Sequence, residues 1–332
     1  MRIAVLGAGA WGTALAIALA AKHDIRLWGR NAQQLASIKQ TRINSQYLPG
    51  ALLDPTIKVT STLPDAIEDA ELALIVTSTG GLAATVDAVL TANTAPGAGP
   101  LPLIWACKGF DKTTGKLPHE TVASMVPVGT QYGALSGPSF ADEVARGLPC
   151  ALTLAANDAA FALATAAQLN NSALRVYSSA DLIGVELGGA LKNIMAIAAG
   201  ISDGMQLGLN ARAALITRGL AEMVRLGVAM GGKPETFMGL TGMGDLILTA
   251  TGELSRNRKV GMLLAGGTPL DDILRDLGHV AEGVNSAAAT LALANQYRVS
   301  MPITESVNAV LFQRASPRDS VKALLSREAK AE

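Results

Sequence analysis

A glycine turn, a lysine inside an apolar stretch and a run of cations among hydroxyls are the features whose residue types could do chemistry. The turn is Gly7-Ala8-Gly9-Ala10-Trp11-Gly12, with the spacing G-x-G-x-x-G, directly after the apolar run Ile3-Ala4-Val5-Leu6. In such a turn the first glycine permits the tight bend and the second lets the backbone approach a pyrophosphate. The third lets helix and strand pack closely. A helix opening there adds free N–H groups and a positive dipole end, both of which favour an anion. A purely structural turn would use the same glycines. The dinucleotide reading rests on the context of a strand before, a helix after and a βαβ unit around them. The end of the next strand, Leu27-Trp28-Gly29-Arg30-Asn31, has no acid to accept a ribose 2′-hydroxyl. Arg30 would instead attract a 2′-phosphate by a charge-assisted bond, so NADPH/NADP is expected ahead of NADH/NAD. The alternative for Arg30 is a solvated strand end.

Hydride transfer to a ketone needs a proton donor for the developing alkoxide. The three histidines, His23, His119 and His279, stand isolated. Lys192 is the better candidate, in Gly188-Gly189-Ala190-Leu191-Lys192-Asn193-Ile194. A helix apolar nearly all round is buried, and a lysine within it either snorkels or serves a function. Burial lowers a lysine pKa, which suits proton exchange near neutrality. The run Leu240-Thr241-Gly242-Met243-Gly244-Asp245 reads as a flexible loop presenting Asp245, an acid able to orient that ammonium; a helix cap is the alternative. The run Thr251-Gly252-Glu253-Leu254-Ser255-Arg256-Asn257-Arg258-Lys259 sets cations and hydroxyls at a helix start, a fitting place for a phosphate or simply a solvated basic face. Lys108, after the run 103–106, and the turn Ser136-Gly137-Pro138-Ser139-Phe140-Ala141 complete the candidates. Ligands of doubly wound sheets lie beyond the carboxyl ends of the strands.

Elements must hold these residues in place. Short apolar runs at 3–6, 24–28, 72–77, 103–106, 132–135 and 151–155 read as strands, with helical segments such as 11–22 and 32–40 between them. That alternation predicts an α/β fold, a Rossmann-like doubly wound parallel sheet with helices on both faces. Beyond about 180 the strand signal fades, and 182–201, 211–230, 234–240, 256–265, 270–277, 286–296, 303–313 and 316–325 read as helices. The expected domains are a dinucleotide-binding unit over 1–180 and an all-helical substrate-binding unit over 181–332. The segment 91–102 reads as a surface loop.

Composition narrows the function classes. The 332 residues carry 27 Lys+Arg against 27 Asp+Glu, so no basic surface suited to nucleic acid is expected. Any anionic ligand must be held by a few local cations. Cys107 and Cys150 form neither a disulfide framework nor a zinc spacing; no metal is expected, and a reducing compartment, the cytoplasm, is. The N-terminal run resembles a leader, but the glycine turn needs that strand attached. The apolar stretch 182–201 contains Glu186, Lys192 and Asn193, which makes it a better buried helix than a membrane span.

Taken together, the segments GAGAWGTALA, CKGF, SGPSFA, ELGGALKNIMAIAAGISDGM, LTGMGDLILTATGELSRNRKVG and VAEGV resemble, in order, the bacterial NAD(P)-dependent glycerol-3-phosphate dehydrogenases. The resemblance covers nearly the whole chain. It implies reversible reduction of dihydroxyacetone phosphate to sn-glycerol 3-phosphate, which supplies the phospholipid backbone, by a cytosolic homodimer. By the same resemblance Lys192 exchanges the proton with Asp245 as its partner. Lys108, Gly137, Ser139, Thr251, Ser255, Arg256 and Asn257 would hold the phosphorylated triose. Trp11, Arg30, Lys108, Ala141, Arg256, Val280 and Glu282 would contact the dinucleotide, with Gly7, Gly9 and Gly12 shaping the turn. Cys107 stands where the family has a small hydroxyl residue, and Ala10 where it has Ser, which puts individual cofactor contacts in question. A β-hydroxyacid dehydrogenase also joins such domains through a helix lysine, but lacks the TGMGD and SRNRK segments together. A nicotinamide-binding sensor would need only the glycine turn.

Overall fold

The computed structural model describes residues 1–93, 99–277 and 281–326. The chain forms two compact units, Met1–Asp111 with Lys116–Val185 and Lys112–Gly115 with Glu186–Glu332.

The first unit contains β1 (Arg2–Leu6), β2 (Asp24–Trp28), β3 (Ile43–Asn44), β4 (Leu48–Leu52), β5 (Lys58–Thr60), β6 (Leu72–Ile75), β7 (Leu103–Trp105), β8 (Tyr132–Ser136), β9 (Cys150–Ala156) and β10 (Leu174–Ser179). Between them run α1 (Ala10–Ala20), α2 (Ala32–Thr41), α3 (Leu63–Ile67), α4 (Thr79–Ala92), α5 (Pro118–Ala123), α6 (Ala141–Ala145) and α7 (Ala159–Leu169). The strands form an 8-stranded sheet in the order β10-β9-β8-β7-β6-β1-β2-β5, and β3 and β4 form a separate antiparallel hairpin. Both faces of β1 are buried. Ile3 and Val5 join one apolar cluster with Leu15, Leu27 and Leu74, while Ala4 and Leu6 join another with Ile75, Leu103 and Trp105. Double burial is why its sequence is a continuous apolar run rather than an alternating one. Successive strands leave β1 first toward β2 and β5, then toward β6, β7 and β8, so the chain reverses its direction of winding between β1 and β6.

The sheet is not wholly parallel, because β9 runs antiparallel to β8. A parallel return needs a crossover long enough to recross the sheet. The link after Ser136 holds only the 5-residue α6, about 7 Å of helix, so the chain re-enters from the same edge. The hairpin β3–β4, the short β5 and β10 were also not expected from sequence. β5 and β10 mix polar and apolar residues and are fixed by pairing with β2 and β9, while the β3–β4 hairpin is short and carries Pro49 and Gly50, which do not read as a strand.

The helix α8 (Leu182–Gly204) contains the division between the units. The second unit continues with α9 (Gly208–Ala229), α10 (Pro234–Met238), α11 (Asp245–Thr251), α12 (Arg256–Ala265), α13 (Leu270–Leu277), α14 (Glu282–Gln296), α15 (Pro302–Phe312) and α16 (Pro317–Leu325). Among the described residues α8 is the one helix long and apolar enough to cross a membrane, and 89% of its most apolar window is buried inside the protein. The expected loop before Asp245 is instead a π-helical turn, Leu240–Gly244, continuous with α11. Glycine makes this close packing possible: a Cβ on Gly242 would lie 2.0 Å from the Phe237 carbonyl oxygen. Near the same turn, a Cβ on Gly188 would lie 2.7 Å from the Thr241 oxygen, so it is backbone that approaches the glycine pair of α8.

Candidate active site

In the first unit the strand register brings several candidates to one edge. Leu6 pairs with Trp28 and Ile75, Ile75 with Trp105, and Trp105 with Ala134. Gly7, Arg30, Lys108 and Gly137 follow these strands and so share the carboxyl edge of the sheet. Gly7 has φ +135°, and a Cβ there would lie 2.4 Å from the Val76 oxygen. Gly12 is excluded from carrying a side chain by the Gly7 oxygen, 1.8 Å from an ideal Cβ. Gly9 differs: nothing lies within 4 Å of its Cβ position. Its N–H reaches no acceptor among the described residues, and no side chain caps α1. A free N–H at the start of a helix fits a pyrophosphate. Trp11 and Ala141, both half-buried, pack around one small apolar cluster with Leu48 and Val144. Arg30 is exposed and makes no ion pair among the described residues. The Lys108 Nζ donates to the Gly137 carbonyl at 3.2 Å, and the Ser139 hydroxyl donates to the same oxygen at 3.1 Å.

The second unit builds a buried charged centre. Lys192 is 7% exposed on α8, and its Nζ donates to Asp245 Oδ1 at 2.5 Å and to Thr249 Oγ1 at 2.8 Å. Asp245 opens α11 and Thr249 lies one turn on, so both face the same way. The Thr249 hydroxyl donates to the Asp245 carbonyl at 2.7 Å. Burial of each charge is costly, and the pair persists because it is both ionic and hydrogen-bonded. Next to it, the Asn193 Nδ2 donates to Glu282 Oε2 at 3.3 Å, and Asn257 Nδ2 donates to Asn193 Oδ1 at 2.9 Å. Asn257 Oδ1 in turn accepts the Gly283 N–H at 3.0 Å. This relay ties α8, α12 and the start of α14 together.

The cation run is a helix start. Ser255 caps α12, accepting the Arg258 N–H at 3.2 Å, and its hydroxyl donates to no acceptor among the described residues. Arg256 projects from the first turn, exposed and without an ion pair among the described residues. Arg258 is committed elsewhere, donating to Asp203 Oδ2 at 2.7 Å, which Arg212 also reaches at 3.1 Å. A Cβ on Gly200 would lie 2.0 Å from the Arg258 oxygen, and one on Gly261 would lie 2.1 Å from the Ile197 oxygen. These two glycines let α8 and α12 touch backbone to backbone, so the phosphate candidates sit on the helix that packs against the lysine's own helix.

Family models described as the N-terminus and the C-terminus of NAD-dependent glycerol-3-phosphate dehydrogenase match residues 2–162 and 181–322. A protein of Aromatoleum aromaticum named glycerol-3-phosphate dehydrogenase (NAD(P)+) is 54% identical over 333 residues, covering 100% of both chains. One of Thiobacillus denitrificans with the same name is 52% identical over 332 residues, again with 100% of both covered. The chain belongs to this family. The crystal structure of glycerol-3-phosphate dehydrogenase from Coxiella burnetii superposes with a TM-score of 0.90 at 39% identity, covering 98% of this chain and 99% of that one.

Of the residues expected to serve a glycerol-3-phosphate dehydrogenase, Lys192 and Asp245 are in direct contact, and Ser255, Arg256 and Asn257 lie together at the start of α12. Thr251 is exposed and donates to the Ile247 carbonyl at 2.8 Å; the threonine on Lys192 is Thr249. Thr249 was legible as the position one turn after Asp245, once that aspartate is placed on a helix. Glu282 meets Asn193, and Val280 lies outside the described residues.

Proposed function

We propose that this chain reduces dihydroxyacetone phosphate to sn-glycerol 3-phosphate with a nicotinamide dinucleotide, and catalyses the reverse reaction. The buried contact of Lys192 with Asp245 and Thr249 carries the proposal. When bound, the reduced cofactor supplies the hydride to C2. The free N–H groups at Gly9 and the start of α1 hold its pyrophosphate, and Arg30 favours NADPH by pairing with a 2′-phosphate. Lys192 holds the substrate carbonyl and releases a proton from Nζ to the oxygen as it becomes an alkoxide. Asp245 keeps the ammonium oriented and offsets its charge, and Thr249 fixes the rotamer of both. Arg256, the Ser255 hydroxyl and the first N–H groups of α12 receive the phosphate; the resemblance of the motifs adds Lys108, Gly137 and Ser139 to the substrate contacts. Asn257 positions the start of α12 through Asn193 and Gly283.

Supply of a phospholipid precursor, a cytoplasmic location and a homodimer belong to the same proposal, supported by the resemblance of the motifs to bacterial members. The direct test follows reduced-nicotinamide absorbance with NADPH and then NADH on adding dihydroxyacetone phosphate, dihydroxyacetone or a β-keto acid. Rapid loss with the phosphate ester alone, faster with NADPH, is expected. Equal use of dihydroxyacetone would overturn the phosphate assignment, and preference for the keto acid would favour the β-hydroxyacid reading.

A further inference from the structure

Beneath the glycine turn lies a buried polar group that the reaction does not use. Asn44, on the β3–β4 hairpin, is wholly buried, and its Nδ2 donates to the Ala8 carbonyl at 3.0 Å and to Thr13 Oγ1 at 2.8 Å. Gln34, on α2, donates through Nε2 to the same Ala8 oxygen at 2.8 Å and to Asn44 Oδ1 at 3.2 Å. The backbone N–H of Gln34 is in turn fixed by the Asn31 side chain, the cap of α2, at 3.0 Å. Two carboxamides from separate elements thus converge on one peptide oxygen.

We propose that Gln34 and Asn44 are positioning residues for the dinucleotide, acting through the Ala8–Gly9 peptide. A trans peptide points its C=O and N–H in opposite directions. With the Ala8 oxygen held by two interior donors, the Gly9 N–H is turned the other way. There it meets no acceptor among the described residues, and open space surrounds the Gly9 Cβ position. Glycine rotates more freely than any other residue, so the donor would lose this orientation without a clamp. A pre-aimed N–H binds a pyrophosphate oxygen without first spending energy on ordering. Asn44 also reaches Thr13 on α1, so one side chain fixes the peptide and the helix whose N–H groups face the same anion. The clamp links the turn to α2, while the start of α2 beside Arg30 keeps its own cap, the Asn31 side chain on the Gln34 backbone N–H.

The inference rests on the dinucleotide reading, and its test separates the two. Gln34→Met keeps the side chain's length and removes its donor; Asn44→Leu does the same at the buried site. Affinities of the full chain for NADPH, ADP-ribose and adenosine 2′-phosphate are measured by fluorescence titration, beside KM, kcat and the melting temperature. Gln34→Met should weaken NADPH and ADP-ribose by about tenfold, the scale of one charge-assisted hydrogen bond. Adenosine 2′-phosphate, which has no pyrophosphate, should bind as before, with kcat at saturating NADPH and KM for dihydroxyacetone phosphate unchanged. Parental affinity for ADP-ribose in folded Gln34→Met overturns the clamp, and so does equal weakening of all three ligands, which would mark a general loss of structure. If Asn44→Leu does not fold, Gln34→Met decides alone. A parent chain that binds neither NADPH nor ADP-ribose overturns the dinucleotide reading itself.

Discussion

Lys192 and Asp245 are so nearly enclosed, 7% and 1% exposed, that removing either leaves the other charge buried without this ion-pair contact. Breaking such a pair costs about 3–5 kcal/mol, whereas replacing it with matched neutral groups costs far less. Stability and catalysis must therefore be measured together at this site. Thr249→Val keeps the shape and removes the hydroxyl that bonds both partners. It should lower kcat while leaving the affinity for NADPH unchanged, and should shift the pH–rate profile, because the ammonium loses a hydrogen-bond acceptor that favours its charged form. An unaltered kcat and pH profile would reduce Thr249 to a packing residue. Arg256 stands exposed and should behave differently. Arg256→Ala should chiefly raise KM for dihydroxyacetone phosphate and narrow its advantage over dihydroxyacetone, as removal of a binding contact does. A pure loss of kcat, with KM unmoved, would contradict its role as a phosphate contact.

The element that matters most is α8, which carries Lys192 and Asn193 and meets α12 through Gly200. Gly200→Ala would place a methyl group 2.0 Å from the Arg258 oxygen, forcing the two helices apart. Overpacking of this kind costs about 1–3 kcal/mol. The displaced α12 start should raise KM for dihydroxyacetone phosphate by about tenfold or more, with the affinity for NADPH less affected. Parental stability and KM would show that the backbones do not meet as described. What sequence revealed at this scale follows from how local each signal is. The glycine turn, the apolar strands, the lysine in an apolar helix and the helix start at Ser255 depend on residues within a few positions of one another, so they could be read directly. Asn44 could not: it is polar, sits in the two-residue β3, and is buried only because Ala8 and Thr13, 36 and 31 positions away, supply its partners. The π-helical turn at Leu240–Gly244 was read as a loop because its glycines suit both, and only contact with Phe237 and Gly188 decides between them. The antiparallel β9 was likewise hidden, since an apolar run carries no mark of its direction.

At the scale of the molecule, a second buried acid ties stability to pH. Glu222, on α9 and 1% exposed, accepts the N–H groups of Ile303 at 2.7 Å and Thr304 at 3.2 Å and so caps α15. Burial pushes its carboxyl up from 4.5 to about 7 against the pull of those N–H donors and of Arg225. The native state then keeps a proton that the unfolded chain releases near pH 4.5. The resulting stability is fully present below that pH and is lost as pH rises through about 7, a span of about 3 kcal/mol. Urea unfolding of the parent should show this decline from pH 5 to 8, and Glu222→Gln should flatten it. An unchanged slope in that variant would place the pH dependence elsewhere. The central claim concerns the other buried group: the amine of Lys192 delivers the proton that completes reduction. Steady-state kcat of Lys192→Met, in protein shown by its melting curve and NADPH titration to be folded and competent for cofactor, tests it most directly. A fall of about 10²-fold or more, with NADPH affinity retained, is the predicted result. Turnover within a few fold of the parent would contradict the account.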